Sequence, residues 1–384
     1  MTDFDKVVNR RNTDSLKWDV AENELPMWVA DMDFPTAPCI TQAVLNKAAS
    51  GVFGYQIVPD GWYAAITNWW QTRHNFTIER DWLCFTTGVV PAITSCVKRL
   101  TNVGDNVVVL TPVYDIFFHS IENTGRHTLE CPLCYDGAQY SIDFKDLEVK
   151  LSHEQSTLMI LCNPHNPIGK VWSKQELDRI GKLCAKYGVT VLSDEIHCDL
   201  TEPNTQYVPF ASVSAVCRDI SVNAISASKA FSIAGLQSAA VFVANERLRN
   251  AVVRGLNSDE VAEPNAFACE ATIAAFNEGG EWLDGLRKYI SDNRRLVGEY
   301  LAKNLPQLKL IRQDATYLLW VDCSAITDDA ELLCDFIREQ TGLYLNCGTK
   351  YRGNGRYFIR INVACPKSTL LDGLDRLKSG VEQY

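Results

Sequence analysis

Residues 158–194 read LMILCNPHNPIGKVWSKQELDRIGKLCAKYGVTVLSD, which is a strand, a turn, a helix and a second strand in that order. The apolar runs at the two ends have the length and composition of buried strands. Ser173 and Glu176 have the spacing of a capping box, which marks the start of a helix, and Gly188 marks its end. Two strands joined by a helix predict a parallel pair of neighbours in one sheet.

Three further apolar runs on either side extend the same pattern. They are VVVL (107–110), ISVNAIS (220–226) and AAVFVA (239–244). Strands that alternate with helices are typical of an α/β fold with a mainly parallel, doubly wound sheet. No internal repeat and no low-complexity segment interrupts this pattern.

The pattern changes after Gly279. One long amphipathic helix is predicted from about Glu281 to Leu305, and Pro306 ends it. The remainder predicts a strand, a helix, two strands and a helix, which indicates a smaller α+β domain. We therefore expect an N-terminal arm that is also part of the small domain (1–47), a large domain (48–280), and a linking helix with the C-terminal small domain (281–384).

The composition excludes several classes of protein. Hydrophobic residues make up 46% and charged residues 22% of 384 residues, an ordinary globular balance. A net charge of −10 disfavours a nucleic-acid partner. No apolar run approaches the ~20 residues that span a bilayer, and residues 1–15 lack the apolar core of a signal peptide. We expect a cytoplasmic protein with no membrane partner.

The fourteen cysteines mostly lie in apolar segments, where reduced thiols behave as small buried hydrophobes. Cys131 and Cys134 have C-x-x-C spacing, but no second pair or suitably spaced histidines follow nearby. We therefore predict two unpaired thiols and no metal site.

The segment SASKAFSIAGLQ (226–237) places Lys229 among small and apolar residues just after a predicted buried strand. A partly desolvated amine has a lowered pKa and becomes a nucleophile for carbonyl groups. Ser226 and Ser228 offer hydroxyls to an anion. From this segment alone, a lysine that merely extends to solvent from a strand end remains an equal alternative.

Two polar positions follow predicted strands. Asp194 stands at the carboxyl end of its strand, where open α/β sheets bind ligands, and a buried carboxylate there needs a cation or hydrogen bonds. It could also bind magnesium or cap the next helix. Asn166 lies in the proline-rich turn NPHNPIGK and can donate to an oxyanion. His165 in the same turn could bind a metal or act in acid–base chemistry, but we interpret it as a local hydrogen-bonder.

Two more segments offer charge complementarity to a ligand. TTGVVPAITSCVKRL (86–100) begins a helix at Gly88, and amides at a helix N-terminus attract phosphate. The chain has neither a Walker spacing nor G-x-G-x-x-G, so nucleotide binding is disfavoured. Arg360 interrupts the apolar strand YFIRINVACP (357–366). Its planar guanidinium suits a carboxylate, which could belong to a substrate or to an internal acidic residue.

These segments, in this order, resemble fold-type I pyridoxal-5′-phosphate enzymes of the aspartate aminotransferase class, and most closely the MalY/PatB or cystalysin group of carbon–sulfur β-lyases. The similarity extends over essentially the whole chain. The runs that carry it are VADMDF (29–34), FGY (53–55), TTGVVPAI (86–93), TPVYDIFF (111–118), NPHNPIGK (163–170), SDEIH (193–197) and SASKAFSIAGLQ (226–237).

The resemblance implies a role for each candidate residue. Lys229 would form the Schiff base with pyridoxal phosphate, Asp194 would keep the pyridine nitrogen protonated, and Tyr114 would lie against the ring. Arg360 would bind the substrate carboxylate, and Tyr55 would reach the phosphate of the neighbouring subunit in a homodimer with shared active sites. The remaining cofactor contacts would be made by Asn166, at the phenolic oxygen, and by Gly88, Val89, Val90, Ser226 and Ser228, around the phosphate.

The implied reaction is α,β-elimination from a cysteine-derived amino acid such as cystathionine, which gives pyruvate, ammonia and a thiol. An aminotransferase, a decarboxylase or a racemase on the same scaffold remains an alternative. A regulatory binding protein would be expected to have lost Lys229, Asp194 or Arg360, and all three are present. Gln237 stands where related aminotransferases have a basic residue, which favours the lyases, whereas Asp115 replaces a tyrosine and leaves the preferred substrate open.

Overall fold

The computed structural model describes residues 2–384 and contains a central seven-stranded sheet. Six of the strands run parallel, and Ala239–Phe242 is antiparallel to both of its neighbours. The predicted α/β fold with a mainly parallel sheet is therefore confirmed. In spatial order the strands are Leu83–Thr86, Ala239–Phe242, Ser221–Ile225, Thr190–Asp194, Ser156–Cys162, Asn106–Thr111 and His127–Pro132.

Both faces of this sheet are covered. Leu158, Ile160 and Leu192 pack in one hydrophobic cluster, and the alternate residues Met159 and Val191 pack in another. Successive side chains of a strand point to opposite faces, so burial of both sets is the signature of a doubly wound sheet. The α-helices of the described chain are Pro38–Ala49, Asp60–His74, Val89–Leu100, Ile116–Glu122, Phe144–Leu151, Lys174–Tyr187, Ala215–Asp219, Ser228–Phe231, Glu246–Ser258, Ala268–Glu278, Gly280–Asn304, Ala330–Thr341 and Lys367–Gln383.

The helix Lys174–Tyr187 has the predicted ends. The Ser173 hydroxyl accepts from the Glu176 amide at 3.2 Å, and the Glu176 carboxylate accepts from the Ser173 amide at 2.8 Å. Such a cap typically contributes about 1 kcal/mol. Gly188 ends the helix in the left-handed conformation with φ +71°, as the sequence predicts.

A second sheet of four antiparallel strands forms from the C-terminal part of the chain. The helix Gly280–Asn304 precedes it, within one residue of the predicted bounds at each end. Residues 25–26 pair in parallel with 343–344, so the N-terminal segment lies beside this part of the chain. The domain limits at 47/48 and 280/281 stay a prediction. The sheet consists of Lys309–Leu310, Leu318–Asp322, Phe358–Asn362 and Asn346–Cys347, and a separate hairpin pairs Cys134–Tyr135 with Tyr140–Ser141.

The turn 163–170 brings the two sheets together. It leaves the strand Ser156–Cys162 beside the end of Thr190–Asp194, where Cys162 is paired with Asp194. Gly169 has φ +62°, and a Cβ atom on it would lie 2.4 Å from the Gln313 side-chain nitrogen and 2.8 Å from the Ala315 carbonyl oxygen. Only glycine allows this approach, which places the turn against the segment that enters the second sheet.

The two cysteines with C-x-x-C spacing differ in environment. Cys131 is buried, Cys134 is exposed, and neither forms a disulfide. Burial raises the pKa of the Cys131 thiol, so this thiol is a poor nucleophile.

No helix within residues 2–384 combines the length and the apolar character that a membrane crossing requires.

Candidate active site

A cavity of about 280 Å³ opens at the carboxyl ends of the parallel strands. It collects residues from distant parts of the sequence, including most of the predicted site. Its walls are formed by Ala30, Thr87, Gly88, Val89, Val90, Pro91, Tyr114, Cys162, Asn166, Asp194, Ile196, His197, Ser228, Lys229, Ala234, Gln237 and Ser238.

Lys229 reaches this cavity from the short helix Ser228–Phe231, which follows the strand Ser221–Ile225. Its Nζ donates a hydrogen bond of 2.8 Å to the Ala30 carbonyl oxygen. Burial is the main cause that lowers its pKa to about 8, with a further lowering by Arg360 and opposing effects of Asp31 and Asp194. This lysine does not extend to solvent, and its amine is an available nucleophile close to neutral pH.

Labelling of Lys229 in the cofactor-free chain should show this lowered pKa. The unprotonated amine is the reactive form, so the rate of acylation should rise with pH and reach half its maximum near pH 8, well below the usual ~10.4 of lysine. Peptide mass mapping after brief acylation at a series of pH values measures this midpoint. Lys182 is the control, because its hydrogen bond to Asp178 raises its pKa and should place its midpoint at higher pH. Equal midpoints for the two lysines would contradict the burial of Lys229.

Asp194 ends the strand Thr190–Asp194 and lines the same cavity. One carboxylate oxygen accepts from the Ile196 amide at 3.1 Å. Burial raises the pKa of this carboxyl to about 6, although the Ile196 amide and the charge of Lys229 act in the opposite direction. No lysine, arginine or histidine of residues 2–384 forms an ion pair with it. A buried carboxylate in this position favours a cationic group within the cavity.

Arg360 and Asn166 contact one another at the edge of the cavity. The Arg360 guanidinium donates through Nη1 to the Asn166 side-chain oxygen at 3.2 Å and through Nη2 to the Trp28 carbonyl at 3.0 Å. Its Nε is buried without a hydrogen-bond partner in the described chain. Because no carboxylate of residues 2–384 pairs with it, the alternative of an internal acidic partner is not supported. The charge of Arg360 is thus not neutralised by a carboxylate of the described chain; the residue is buried and does not itself line the cavity, which Asn166 does.

Another wall of the cavity is formed by the start of the helix Val89–Leu100. Gly88 precedes it, and Val89 and Val90 occupy its first turn, where backbone amides lack helical acceptors. Ser228 lines the cavity beside them. Ser226 lies behind this wall: its hydroxyl donates to the Ser238 carbonyl at 2.7 Å and accepts from the Ser228 amide at 3.0 Å. The first-turn amides and the Ser228 hydroxyl form a concentrated set of donors suited to a phosphate.

Tyr114 contributes an aromatic wall. Its ring packs edge-on against Phe117 at 5.6 Å, and burial raises the pKa of its hydroxyl, which stays protonated. Asp115 follows it at the start of the helix Ile116–Glu122.

Tyr55 is a predicted site residue that lies away from the cavity, on the surface of its own chain. Its side chain is 100% exposed, as are large parts of its neighbours Phe53 and Ile57. Tyr55 therefore does not pack in the core of its own chain. Tyr55 lines an open groove on the molecular surface, and Gln237 borders both this groove and the cavity.

His165 is a local hydrogen-bonder, as interpreted from the sequence. Its Nε2 lies 2.8 Å from the Pro112 carbonyl oxygen, and burial lowers the pKa of the ring to about 4. The ring is neutral near physiological pH and does not line the cavity.

The residues that form this cavity lie within a segment that matches a known protein family. The family model described as "Aminotransferase class I and II" matches residues 23–377. The chain belongs to this family. Within the class I and II aminotransferases it is 42% identical to cystathionine beta-lyase PatB of Bacillus subtilis, over 98% of this chain and 99% of the relative. It is 33% identical to protein MalY of Escherichia coli, over 99% of both chains.

Solved structures agree with this placement in the class I and II aminotransferases. The crystal structure of cystalysin from Treponema denticola, which contains a pyridoxal 5′-phosphate cofactor, superposes with a TM-score of 0.97 at 31% identity. It covers 100% of this chain and 99% of its own. The pyridoxal phosphate-bound C-S lyase from Staphylococcus hominis gives a TM-score of 0.93 at 30% identity over 99% of this chain and 98% of its own. The resemblance to the MalY/PatB group is thereby confirmed.

Three groups that sequence reasoning did not assign also surround Lys229. The Ala30 carbonyl accepts from Lys229, the Tyr317 hydroxyl donates to that carbonyl at 3.1 Å, and the buried ring of His197 lines the cavity with Nδ1 lacking a partner in the described chain. Ala30 lies in the run VADMDF and His197 in the run SDEIH, both of which carry the family resemblance. The runs indicate that these residues are near the site, but they do not indicate what the residues do there. No local pattern marks Tyr317.

Proposed function

We propose that the chain is a pyridoxal phosphate-dependent carbon–sulfur β-lyase, which eliminates the β-substituent of cysteine-derived amino acids to give pyruvate, ammonia and a thiol. The observation that carries this proposal is one cavity in which a buried amine, Lys229, faces a buried carboxylate without a cationic partner, Asp194. The relatives named as cystathionine beta-lyase and C-S lyase support the reaction type.

The cavity fits the cofactor in charge and in chemistry. Asp194 suits a protonated pyridine nitrogen, and the amides of Val89 and Val90 with the Ser228 hydroxyl suit a phosphate. Ser226 would act at the phosphate end of the site indirectly, because its hydroxyl accepts a hydrogen bond from the Ser228 amide. Lys229 would hold the cofactor covalently, Asn166 would donate to its phenolic oxygen, and Tyr114 would lie against its ring. Pyridoxal phosphate, when bound, supplies an electron sink for a carbanion at the α-carbon.

Substrate binding and proton transfer would be carried out by side chains of the chain itself. Arg360 would bind the substrate α-carboxylate, for which its guanidinium has the charge and the planar geometry. Lys229, once released as a free amine, would take the α-proton at Nζ, and an amine with a pKa near 8 is a competent base close to neutral pH. Asp194 would keep its negative charge next to the cationic ring. Burial of the site excludes bulk water from these charges and strengthens each interaction.

Elimination can be separated from transamination by one assay, because the two reactions share the removal of the α-proton. We expect the purified chain to form pyruvate from cystathionine, with release of homocysteine, when no keto acid is added. Lactate dehydrogenase coupling measures the pyruvate, and a thiol reagent measures the homocysteine in equal amount. An enzyme that forms product only after a keto acid acceptor is supplied would be an aminotransferase, and the lyase proposal would be wrong.

We further propose a homodimer with shared active sites, in which Tyr55 reaches the phosphate site of the partner chain. Support comes from the full exposure of Tyr55, from its exposed apolar neighbours Phe53 and Ile57, and from Gln237, which connects their groove to the cavity. Apolar residues so close together rarely stay exposed on a monomer, and an isologous dimer would complete two sites at once.

Subunit mixing tests the shared site. An inactive Lys229→Ala chain and an inactive Tyr55 variant are mixed under conditions that exchange subunits. Half of the sites in a hybrid dimer then carry neither lesion, so pyruvate formation should return to a measurable fraction of the wild-type rate. Mixing two Lys229→Ala preparations is the control and should restore nothing. Verified exchange without any recovered activity would mean that Tyr55 acts in the site of its own chain.

We place the enzyme in the cytoplasm. The support is the set of fourteen free thiols, most of them buried, which suits a reducing compartment.

A further inference from the structure

Residues 28–33, which we call the N-terminal clasp, reach the cavity at Ala30 and present backbone carbonyls to the cationic side chains of Lys229 and Arg360. The Trp28 carbonyl accepts from Arg360 at 3.0 Å, and the Ala30 carbonyl accepts from Lys229 at 2.8 Å and from the Tyr317 hydroxyl at 3.1 Å. The direction of the Lys229 amine therefore depends on where the clasp backbone lies.

A buried group of charges anchors the clasp from behind. Lys17, only 1% exposed, lies 2.7 Å from one carboxylate oxygen of Asp33 and also donates to the Asp31 carbonyl at 3.1 Å. The other oxygen of Asp33 accepts from Arg10 at 3.1 Å and from the Trp18 indole at 2.8 Å. Lys17 thus holds both a side chain and a backbone group of the clasp.

The second sheet holds the clasp from the other side. The Asn362 side-chain amide donates to the carbonyls of Val29 and Asp31 at 2.6 and 2.7 Å, and the Asp33 amide donates to the Ala364 carbonyl at 2.8 Å. The clasp is fixed at residues 29, 31 and 33, and the carbonyl that receives Lys229 lies between these points.

A buried ion pair contributes little net stability, because desolvation offsets most of its attraction. Removal of the Lys17 charge alone would leave the buried Asp33 carboxylate with Arg10 and the Trp18 indole as its partners. The Lys17–Asp33 pair has a role beyond stability if its charges hold the clasp backbone in one conformation that apolar contacts alone would not fix.

We propose that Lys17 and Asp33 are positioning residues that hold the N-terminal clasp, so that the Ala30 carbonyl orients the free amine of Lys229 and keeps it shielded from water. Only the naming of Lys229 as the reactive amine is taken from the proposed function. The charged groups that act on this amine are Asp31, Arg360 and Asp194. None of them belongs to the Lys17–Asp33 pair, but Asp31 is a residue of the clasp, and Arg10 pairs with the carboxylates of both Asp31 and Asp33. Loss of the Lys17–Asp33 pair therefore acts on Lys229 through the clasp, including the position of the Asp31 carboxylate.

The test is the pH midpoint of Lys229 acylation in the full-length chain freed of cofactor. In Lys17→Met the clasp loosens and water reaches the amine. Since desolvation is the main cause of the low pKa, the midpoint should rise by about one pH unit and the labelling rate at pH 7 should fall about tenfold. Asp33→Asn keeps the side-chain shape and should shift the midpoint in the same direction. It replaces Lys17→Met in the test if that variant does not fold. Elimination activity is not needed for either measurement, so failure of the lyase assay leaves this test intact.

Lys186→Met is the matched control. Its ion pair with Glu148 has the same length, 2.7 Å, but lies on the surface with the lysine 58% exposed. It should leave the midpoint unchanged. Circular dichroism verifies that each variant is folded at the labelling temperature. A folded Lys17→Met or Asp33→Asn chain whose midpoint equals that of the wild type would overturn the positioning role and leave the pair with a purely structural one.

Discussion

Replacement of Lys229 by alanine is expected to lower pyruvate formation from cystathionine by about 10³-fold or more. The change removes both the covalent attachment of the cofactor and the amine that takes the α-proton, and a positioned general base alone contributes about 10²–10⁴-fold. The effect should appear in kcat. Initial rates by lactate dehydrogenase coupling measure it.

A chemical experiment identifies the attachment without relying on activity. Borohydride reduction of the wild-type enzyme should fix the cofactor on the peptide that contains Lys229, and Lys229→Ala should retain no reducible cofactor. Lys98→Ala, at an exposed ion pair with Asp259, is the control and should keep both properties. Cofactor found on any other lysine would refute the assignment.

Asp194→Asn has the second largest expected effect. The amide keeps the shape of the carboxyl but removes the only negative charge that residues 2–384 contribute to the cavity wall, and truncation of a buried charge pair costs about 2–5 kcal/mol. We expect kcat to fall by about 10²-fold or more while cofactor still binds. Stopped-flow absorbance separates the two steps, since formation of the initial complex should persist and the subsequent α-proton removal should slow.

The neighbouring acid provides the control for Asp194. Glu195 is also buried, and burial raises its pKa to about 7, but its carboxylate accepts from the Ser193 hydroxyl and the Phe210 amide and does not line the cavity. Glu195→Gln should retain most of the wild-type turnover per folded molecule. If Asp194→Asn behaved in the same way, the charge next to the cofactor would have no catalytic role.

Local patterns in the sequence were sufficient for much of this fold. The capping box of Ser173 and Glu176 and the terminating Gly188 act within a few residues, so their outcome did not depend on distant contacts. Asp194 and Asn166 could be placed together because parallel strands end at the same edge of the sheet. Lys229 follows another strand of that sheet and reaches the same cavity for the same reason.

The clasp could not be foreseen in this way. Its contacts are made by backbone carbonyls, which every residue carries, and they join residues from distant segments. Lys17 looks like any lysine of a polar N-terminal region until Asp33 and the Asp31 carbonyl are seen beside it. The exposure of Tyr55 could not be foreseen either, because the residues around it in the sequence do not distinguish a buried tyrosine from a fully exposed one.

The contacts of the clasp also bear on how the enzyme is made. Ala30 meets Lys229 across 199 residues, and Trp28 meets Arg360 across 332 residues of the chain. Synthesis proceeds from the N-terminus at about 5–20 residues per second. Ala30 and Trp28 are therefore synthesised many seconds before Lys229 and Arg360. Arg360 is synthesised well after Phe242, where the last of the seven strands ends. A nascent polypeptide that already holds the seven strands therefore still lacks the arginine proposed to bind the substrate carboxylate.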